Sequence, residues 1–297
     1  MNSFYRIVLT AFFCSILPAL AAAETLQKEI LIGLIPEMNV FKQQERFKPL
    51  AEYLSEKTGA KVNLTILTRY GNIIDRFTSE KMDGAVFGSF TGALAIEKLG
   101  VDPIARPVNL DGSSTYHGYI FVRKDSGIKS VSDMKGKKMA FVERATTAGY
   151  IFPIAYLRQN GVQDYKTFFK ESYFSGSHDA AINAVLERKA DVGAAKHSIY
   201  DRVRKTDPRV DKDLVILAES AKVPSNGLCV RKGLNKTLKE NLKNALLNLD
   251  KDPEGRKILE KFGALKFINT TKDDYAVVSK LAKDAGIDVR TYNYRNE

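Results

Sequence analysis

Short apolar runs alternate with longer amphipathic stretches along most of the chain. Ile30-Leu31-Ile32-Gly33-Leu34-Ile35 is a continuous apolar run of strand length, the pattern of a strand buried on both faces. Phe47, Leu50, Ala51 and Leu54 follow at i, i+3, i+4, i+7 spacing, which predicts one face of a helix that Gly59 ends. Val62 to Leu67 reads as a strand, Ile73, Ile74 and Phe77 as a helix, Ala85-Val86-Phe87 as a strand and Leu94 to Leu99 as a helix. A long strand at Tyr119 to Arg123 leads into the turn Lys124-Asp125-Ser126-Gly127, where a second alternating set begins. Its strands fall at Met139 to Val142, Tyr173-Phe174, Val192 to Ala195 and Leu214 to Leu217, and its helices at Tyr150 to Leu157 and Ala180 to Leu186. Past Pro224 comes a strand at Leu228 to Arg231, then a helical tail marked by Leu238, Leu242, Leu249, Ile258 and Leu259 before Gly263.

Strands alternating with helices predict an α/β protein with mostly parallel sheets flanked by helices. The 297 residues, 44% hydrophobic and 27% charged with 20 Gly and 9 Pro, suit two compact units and exclude a collagen-like or mainly disordered chain. No low-complexity linker separates the two alternating sets. The expected arrangement is therefore discontinuous: a first lobe of residues 24–118 and 226–297, and a second of 119–225. Two chain crossings, near Gly118 and Ser225, would form the hinge.

The first residues read as an address label. Arg6 precedes an apolar run from Ile7 to Leu20 that ends in Ala19-Leu20-Ala21-Ala22-Ala23, the layout of a cleavable secretory signal peptide over residues 1–23. The run is short of the ~20 residues a membrane span needs, and Pro18 interrupts it. Phe12 and Phe13 stand where a lipoprotein signal at Cys14 wants small residues. With Cys14 removed, Cys229 in Leu228-Cys229-Val230 is read as a small buried residue rather than a reactive thiol. The exported protein would be periplasmic and monomeric. The formal charge, +11 for the full chain and +10 once Arg6 is removed, favours anionic partners. Basic residues are not interleaved with stacking aromatics on one face, so nucleic acid is not among the expected partners.

Open α/β sheets bind ligands beyond the carboxyl ends of their strands, where helices begin. Four such corners stand out: Leu67-Thr68-Arg69-Tyr70-Gly71, Phe87-Gly88-Ser89-Phe90-Thr91-Gly92, Glu143-Arg144-Ala145-Thr146-Thr147-Ala148-Gly149-Tyr150 and Phe174-Ser175-Gly176-Ser177-His178-Asp179. The last three cluster Ser or Thr with Gly. A helix start offers unpaired N–H groups and about +0.5 of partial charge, so it accepts an oxyanion readily. One such corner signifies only a helix cap; several converging on one cleft would be a binding site. HExxH, paired CxxC, Walker and GxSxG patterns are missing from the sequence, and no metal or cofactor is expected. Ser177-His178-Asp179 is no catalytic triad, because triads are assembled from separate segments. His117 and His197 are read as structural.

At these residues the sequence resembles the periplasmic phosphate/phosphite/phosphonate-binding proteins of ABC importers. The landmarks are Ile32-Gly33-Leu34-Ile35-Pro36, the Phe87-Gly88 corner, Asp125-Ser126-Gly127-Ile128 and Asp133-Met134-Lys135-Gly136-Lys137-Lys138. Thr146 to Pro153, Ser175 to Ala181 and Asp191 to Ala195 complete them. The resemblance implies a two-lobe, type II solute-binding fold that closes on an oxyanion and delivers it to an inner-membrane permease. It implies ligand contacts from Thr146, Thr147 and His178, with Tyr70 as the first-lobe tyrosine. The full ligand-binding set expected is Tyr70, Ser89, Thr91, Tyr116, Thr146, Thr147, Ala148, His178 and Lys196. Two positions depart from the family pattern. Gly92 stands where many relatives have an aromatic residue. Lys196 stands where aminoalkylphosphonate binders tend to accept an amine, so a cleft-facing Lys196 would disfavour a distal ammonium on the ligand. It would favour a second anionic group, or plain phosphate or phosphite. The alternatives to transport are a sensor of the same fold docking on a membrane kinase and an exported phosphoester-acting enzyme.

Overall fold

The computed structural model describes residues 27–38 and 40–295; the expected signal peptide and Cys14 lie outside them. The first part of the chain runs β1 (Glu29–Leu34), α1 (Val40–Thr58), β2 (Lys61–Ile66), α2 (Asn72–Ser79), β3 (Gly84–Phe87), α3 (Ser89–Leu99) and β4 (Asp102–Asn109). The middle follows as β5 (Thr115–Tyr116), β6 (Gly118–Arg123), β7 (Lys138–Phe141), α4 (Phe152–Gln159), α5 (Tyr165–Phe168), β8 (Glu171–Phe174), α6 (His178–Leu186), β9 (Val192–Lys196), α7 (His197–Thr206), α8 (Arg209–Asp213), β10 (Leu214–Glu219) and β11 (Val223–Pro224). The last part contains β12 (Gly227–Val230), α9 (Lys236–Leu247), α10 (Pro253–Phe262), β13 (Ala264–Asn269) and α11 (Ala276–Asp284).

Two sheets form. One has the order β13-β4-β12-β3-β1-β2 and so draws strands from both ends of the chain; the other, β10-β6-β9-β7-β8, comes entirely from the middle. Between them, β5 and β11 pair antiparallel through Tyr116 with Val223 and Thr115 with Pro224. The chain therefore crosses from one sheet to the other twice, side by side, at this short ribbon.

Both sheets are mixed, which corrects the expectation of mostly parallel ones. Strands joined through helices are parallel: β1 with β2 and β3, and β7 with β8 and β9. The strands flanking the crossings run the other way, β12 against β3 and β4, and β6 against β9 and β10. The apolar pattern passed over β4, whose Pro103 and Pro107 argue against an interior strand. Register shifts in both neighbouring pairings accommodate it.

Packing follows the predicted faces. Phe47, Leu50, Ala51 and Leu54 of α1 are buried against Ile30, Ile32 and Leu34 of β1, together with Leu238, Leu242 and Leu246 of α9. Gly59 closes α1 with φ of 71°, a left-handed conformation that suits glycine. A second apolar cluster fills the outer face of the middle sheet with Phe121, Ile182, Val185 and Ile199. The largest cluster is continuous from Phe87 and Phe90 through Val278 and Ala282 of α11 to Phe141 and Phe152. Helix α11 packs against both α3 and α4. Cys229 is a free, buried thiol, as expected.

Candidate functional site

Three helices begin at the same place. Ser89, Thr147 and His178 are each the first residue of a helical segment: α3, the π-turn Thr147–Ile151 that runs into α4, and α6. Gly88, Thr146 and Ser177 precede them in extended conformation, leaving the first N–H groups of each turn free to face the cavity. Ser177 caps α6 by accepting the Ala180 N–H and also bonds Asp179, so Ser177-His178-Asp179 serves a helix start.

The residues around these starts enclose one small cavity. Its lining includes Glu37, Tyr70, Ser89, Tyr116, Thr146, Thr147, His178, Lys196 and Asn226, with a free volume of about 10 Å³, on the order of one water molecule. Seven of the nine expected binding residues, Tyr70, Ser89, Tyr116, Thr146, Thr147, His178 and Lys196, therefore meet here. Thr91 and Ala148 are not among the lining residues. The Thr91 hydroxyl donates back to the Gly88 carbonyl at 3.2 Å, and Ala148 packs beside Gly118.

Hydroxyls meet across the cavity. Ser89 Oγ bonds Thr147 Oγ1 at 2.7 Å and also the Tyr116 hydroxyl. The Thr146 hydroxyl donates to the Glu143 carbonyl at 2.6 Å, and the Glu143 carboxylate accepts the Tyr70 N–H at 3.0 Å. Among the described residues lining the cavity, Tyr70 Oη and Asn226 Nδ2 are buried without a hydrogen-bond partner. Such orphaned groups cost about 1–3 kcal/mol each, a penalty that an acceptor in the cavity would remove. Burial, reinforced by the charges of Glu37 and Glu143, raises the Tyr70 pKa well above its ordinary value, so its proton stays available to donate.

His178 is a neutral donor. Burial lowers its pKa to about 4, and the Lys196 charge acts in the same direction against Glu37 and Asp179. Its Nδ1 accepts the Lys196 N–H at 3.2 Å, which places the proton of the neutral ring on Nε2. The Tyr70 and His178 rings meet edge to face, 6.0 Å apart.

Lys196 ends β9, and its ammonium bonds Glu37 Oε1 at 2.7 Å and Asn226 Oδ1 at 3.2 Å while lying 4.5 Å from the Tyr116 ring centre. Arg46 supports the same carboxylate at 3.9 Å. Burial alone would raise the Glu37 pKa, but Lys196 and Arg46 outweigh it and hold it at about 2. Burial pulls the Lys196 pKa down, and Glu37 opposes that shift. The cation expected to shape the ligand's charge is thus already paired within the protein.

Glu37 and Asn226 were not picked out from the sequence. Glu37 lies in the corner after β1, one residue beyond the Ile32–Pro36 landmark, and Asn226 adjoins the crossing at Ser225. The corner rule applied to β1 would have found the first. A carboxylate lining an oxyanion cavity makes sense only once Lys196 is beside it. His117 and His197 lie outside this cavity with rings stacked 4.1 Å apart.

The same architecture recurs in solved structures. A binding-protein component of an ABC phosphonate transporter from Pseudomonas aeruginosa superposes with a TM-score of 0.80 at 24% identity, covering 88% of this chain and 87% of that one. A Prochlorococcus marinus protein solved in complex with methylphosphonate gives 0.77 at 23% identity, over 87% and 98% of the two chains. In sequence, the phosphonates-binding periplasmic protein of Escherichia coli (strain K12) is 26% identical over 261 residues, 86% of this chain and 76% of that protein. The model of the ABC-transporter phosphonate periplasmic substrate-binding proteins matches residues 32–275, which span all the cavity-lining residues, and the chain belongs to that family.

Proposed function

We propose that this chain is the solute-binding component of an ABC importer. It captures a phosphonate, phosphite or phosphate anion in the cavity between its lobes and delivers it to an inner-membrane permease. One observation carries the reading: two buried donors without protein partners, Tyr70 Oη and Asn226 Nδ2, line a cavity where three helices begin. The free volume is on the order of one water molecule, so the walls draw partly apart and the Ser89–Thr147 bond opens to seat a tetrahedral oxyanion. The ion then satisfies both donors, accepts from Ser89, Thr147 and His178 Nε2, and lies against the positive ends of the helices. Ser89 is bonded to other hydroxyls rather than to a base, which favours binding over nucleophilic catalysis. The methylphosphonate complex of the Prochlorococcus relative supports the ligand class.

The lobes in this reading are residues 24–118 with 226–297, and 119–225, and the β5–β11 ribbon is the hinge. Ser89–Thr147, Glu37–Lys196 and the Glu143 bond to the Tyr70 N–H all join the two lobes. These contacts form only when the lobes meet, so a ligand bridging the same walls shifts the equilibrium toward closure. Residues 1–23 would be removed on export to the periplasm, where the chain works as a monomer.

Thermal melting with phosphate, phosphite, methylphosphonate and sulfate tests the function. A ligand at a hundred times its Kd adds about 2.7 kcal/mol of stability. At least one phosphorus oxyanion is expected to raise the melting temperature, and more than sulfate does. No shift with any of them refutes the reading.

A further inference from the structure

We propose that Lys196, clamped between Glu37 and Asn226, restricts the ligand to a compact tetrahedral head group by walling the inner cavity off from the outer cleft. This rests on the function proposed above and adds its selectivity. The same three residues line both spaces: the inner cavity of about 10 Å³ and an outer cleft of about 620 Å³. They are the place where a substituent on the bound anion would pass from one to the other.

The wall is stiff. The Lys196 ammonium is held at 2.7 Å by Glu37 and 3.2 Å by Asn226, and lies against the Tyr116 ring. Both charged side chains are about 10% exposed. The backbone that carries Glu37 is fixed in turn, because Gln43 donates to the Ile35 carbonyl at 2.6 Å and accepts the Glu37 N–H at 3.2 Å. Arg46, behind Glu37, is anchored on the Phe262 carbonyl at 2.6 Å. A tail that pushed the ammonium aside would leave the Glu37 carboxylate buried without its nearest counter-ion, an arrangement far more costly than the intact pair. A tail ending in an ammonium fares no better, since it meets the like charge of Lys196 and finds Glu37 already paired.

Glu37 follows β1 in one sheet and Lys196 ends β9 in the other, so lobe closure itself builds the wall. The oxyanion would enter while the lobes are apart and the partition would form behind it. Phosphite, phosphate and methylphosphonate leave the pair intact. Propylphosphonate and 2-aminoethylphosphonate would have to break it or hold the lobes open.

Calorimetric titration of the purified protein with methylphosphonate and propylphosphonate reads this directly, through the ratio of the two Kd values. The wild-type ratio is expected to be about a hundredfold or more in favour of methylphosphonate. In the double variant Glu37→Ala/Lys196→Ala, which removes both members of the pair and leaves Arg46 on the Phe262 carbonyl, the ratio should shrink at least about tenfold. Lys196→Met retains most of the stem and serves as a second variant; it should relax the ratio less than the double change. Thermal melts confirm that each variant is folded. Wild-type binding of both ligands with similar affinity, or a ratio unchanged in the double variant, overturns the partition while leaving the oxyanion site standing. Failure of the wild type to bind methylphosphonate, phosphite and phosphate alike overturns the proposed function and the partition together.

Discussion

Acid should reveal the burial of His178 through its effect on stability. In the folded protein its pKa is depressed from an ordinary 6.5 to about 4, whereas in the unfolded chain the ring regains a pKa of about 6.5. Between those values the unfolded chain binds a proton that the folded chain does not. Stability is therefore highest above about pH 6.5 and falls as the pH drops toward 4. At 1.36 kcal/mol per pH unit the accumulated loss from this one residue is roughly 3 kcal/mol. His197, whose pKa is also lowered to about 4 by burial and the neighbouring His117, adds a parallel loss, so the wild-type curve alone does not isolate His178. The difference between wild type and His178→Gln does. Glu37 works in a lower window. Its stabilisation is present above its unfolded pKa of about 4.5 and disappears as the pH falls toward 2. Urea unfolding at several values from about pH 7 down to about pH 4.5 keeps that group out of the measurement. The wild type should lose about 2–3 kcal/mol relative to the variant across that range. Parallel curves would mean that His178 titrates like a solvated imidazole, and the neutral-donor assignment would fail.

Three further outcomes follow from the cavity wall. Tyr70→Phe removes a donor to a charged acceptor, worth roughly 1.5–3 kcal/mol, and should weaken methylphosphonate binding about tenfold or more in calorimetry. The same change removes a buried orphan hydroxyl, so the melting temperature without ligand should hold steady or rise; unchanged affinity would remove Tyr70 from the site. Glu37→Gln strands the Lys196 charge in a buried setting and should cost about 3–5 kcal/mol in urea unfolding, a loss under about 1 kcal/mol showing the pair to be solvated. Gly149→Ala would place a Cβ 2.4 Å from Val142 Cβ and 2.8 Å from Thr146 Oγ1. Overpacking of this kind costs about 1–3 kcal/mol, and binding should weaken with stability because the Thr146–Thr147 turn must move; a variant that melts and binds as wild type would contradict that packing.

Much of this arrangement was legible in the sequence because it rests on local rules. Helix faces such as Phe47, Leu50, Ala51 and Leu54 announce themselves by spacing, and all four are buried. The three hydroxyl- and histidine-bearing corners converge because strand ends in such sheets point to one side. What stayed hidden depends on partners distant in sequence. Strand β4 contains Pro103 and Pro107 and is specified by β12 and β13 rather than by its own pattern. Strand β13, Ala264–Asn269, shows no clean alternation, and α7 offers only Ile199, Tyr200 and Val203 among charged and polar neighbours. Glu37 and Asn226 are ordinary polar residues until Lys196, 159 and 30 positions away in sequence, lies between them. Conversely, Thr91 follows the corner rule, yet its hydroxyl only donates back to the Gly88 carbonyl of its own turn.

A phosphorus oxyanion is expected to satisfy the two orphaned donors. A crystal structure of the protein grown with methylphosphonate tests it most directly. A tetrahedral ion is expected in the inner cavity, within hydrogen-bond distance of Tyr70 Oη, Asn226 Nδ2 and His178 Nε2, with the Glu37–Lys196 pair intact beside it. An ion bound elsewhere, or one seated in the cavity with Tyr70 Oη and Asn226 Nδ2 still unpaired, would contradict it.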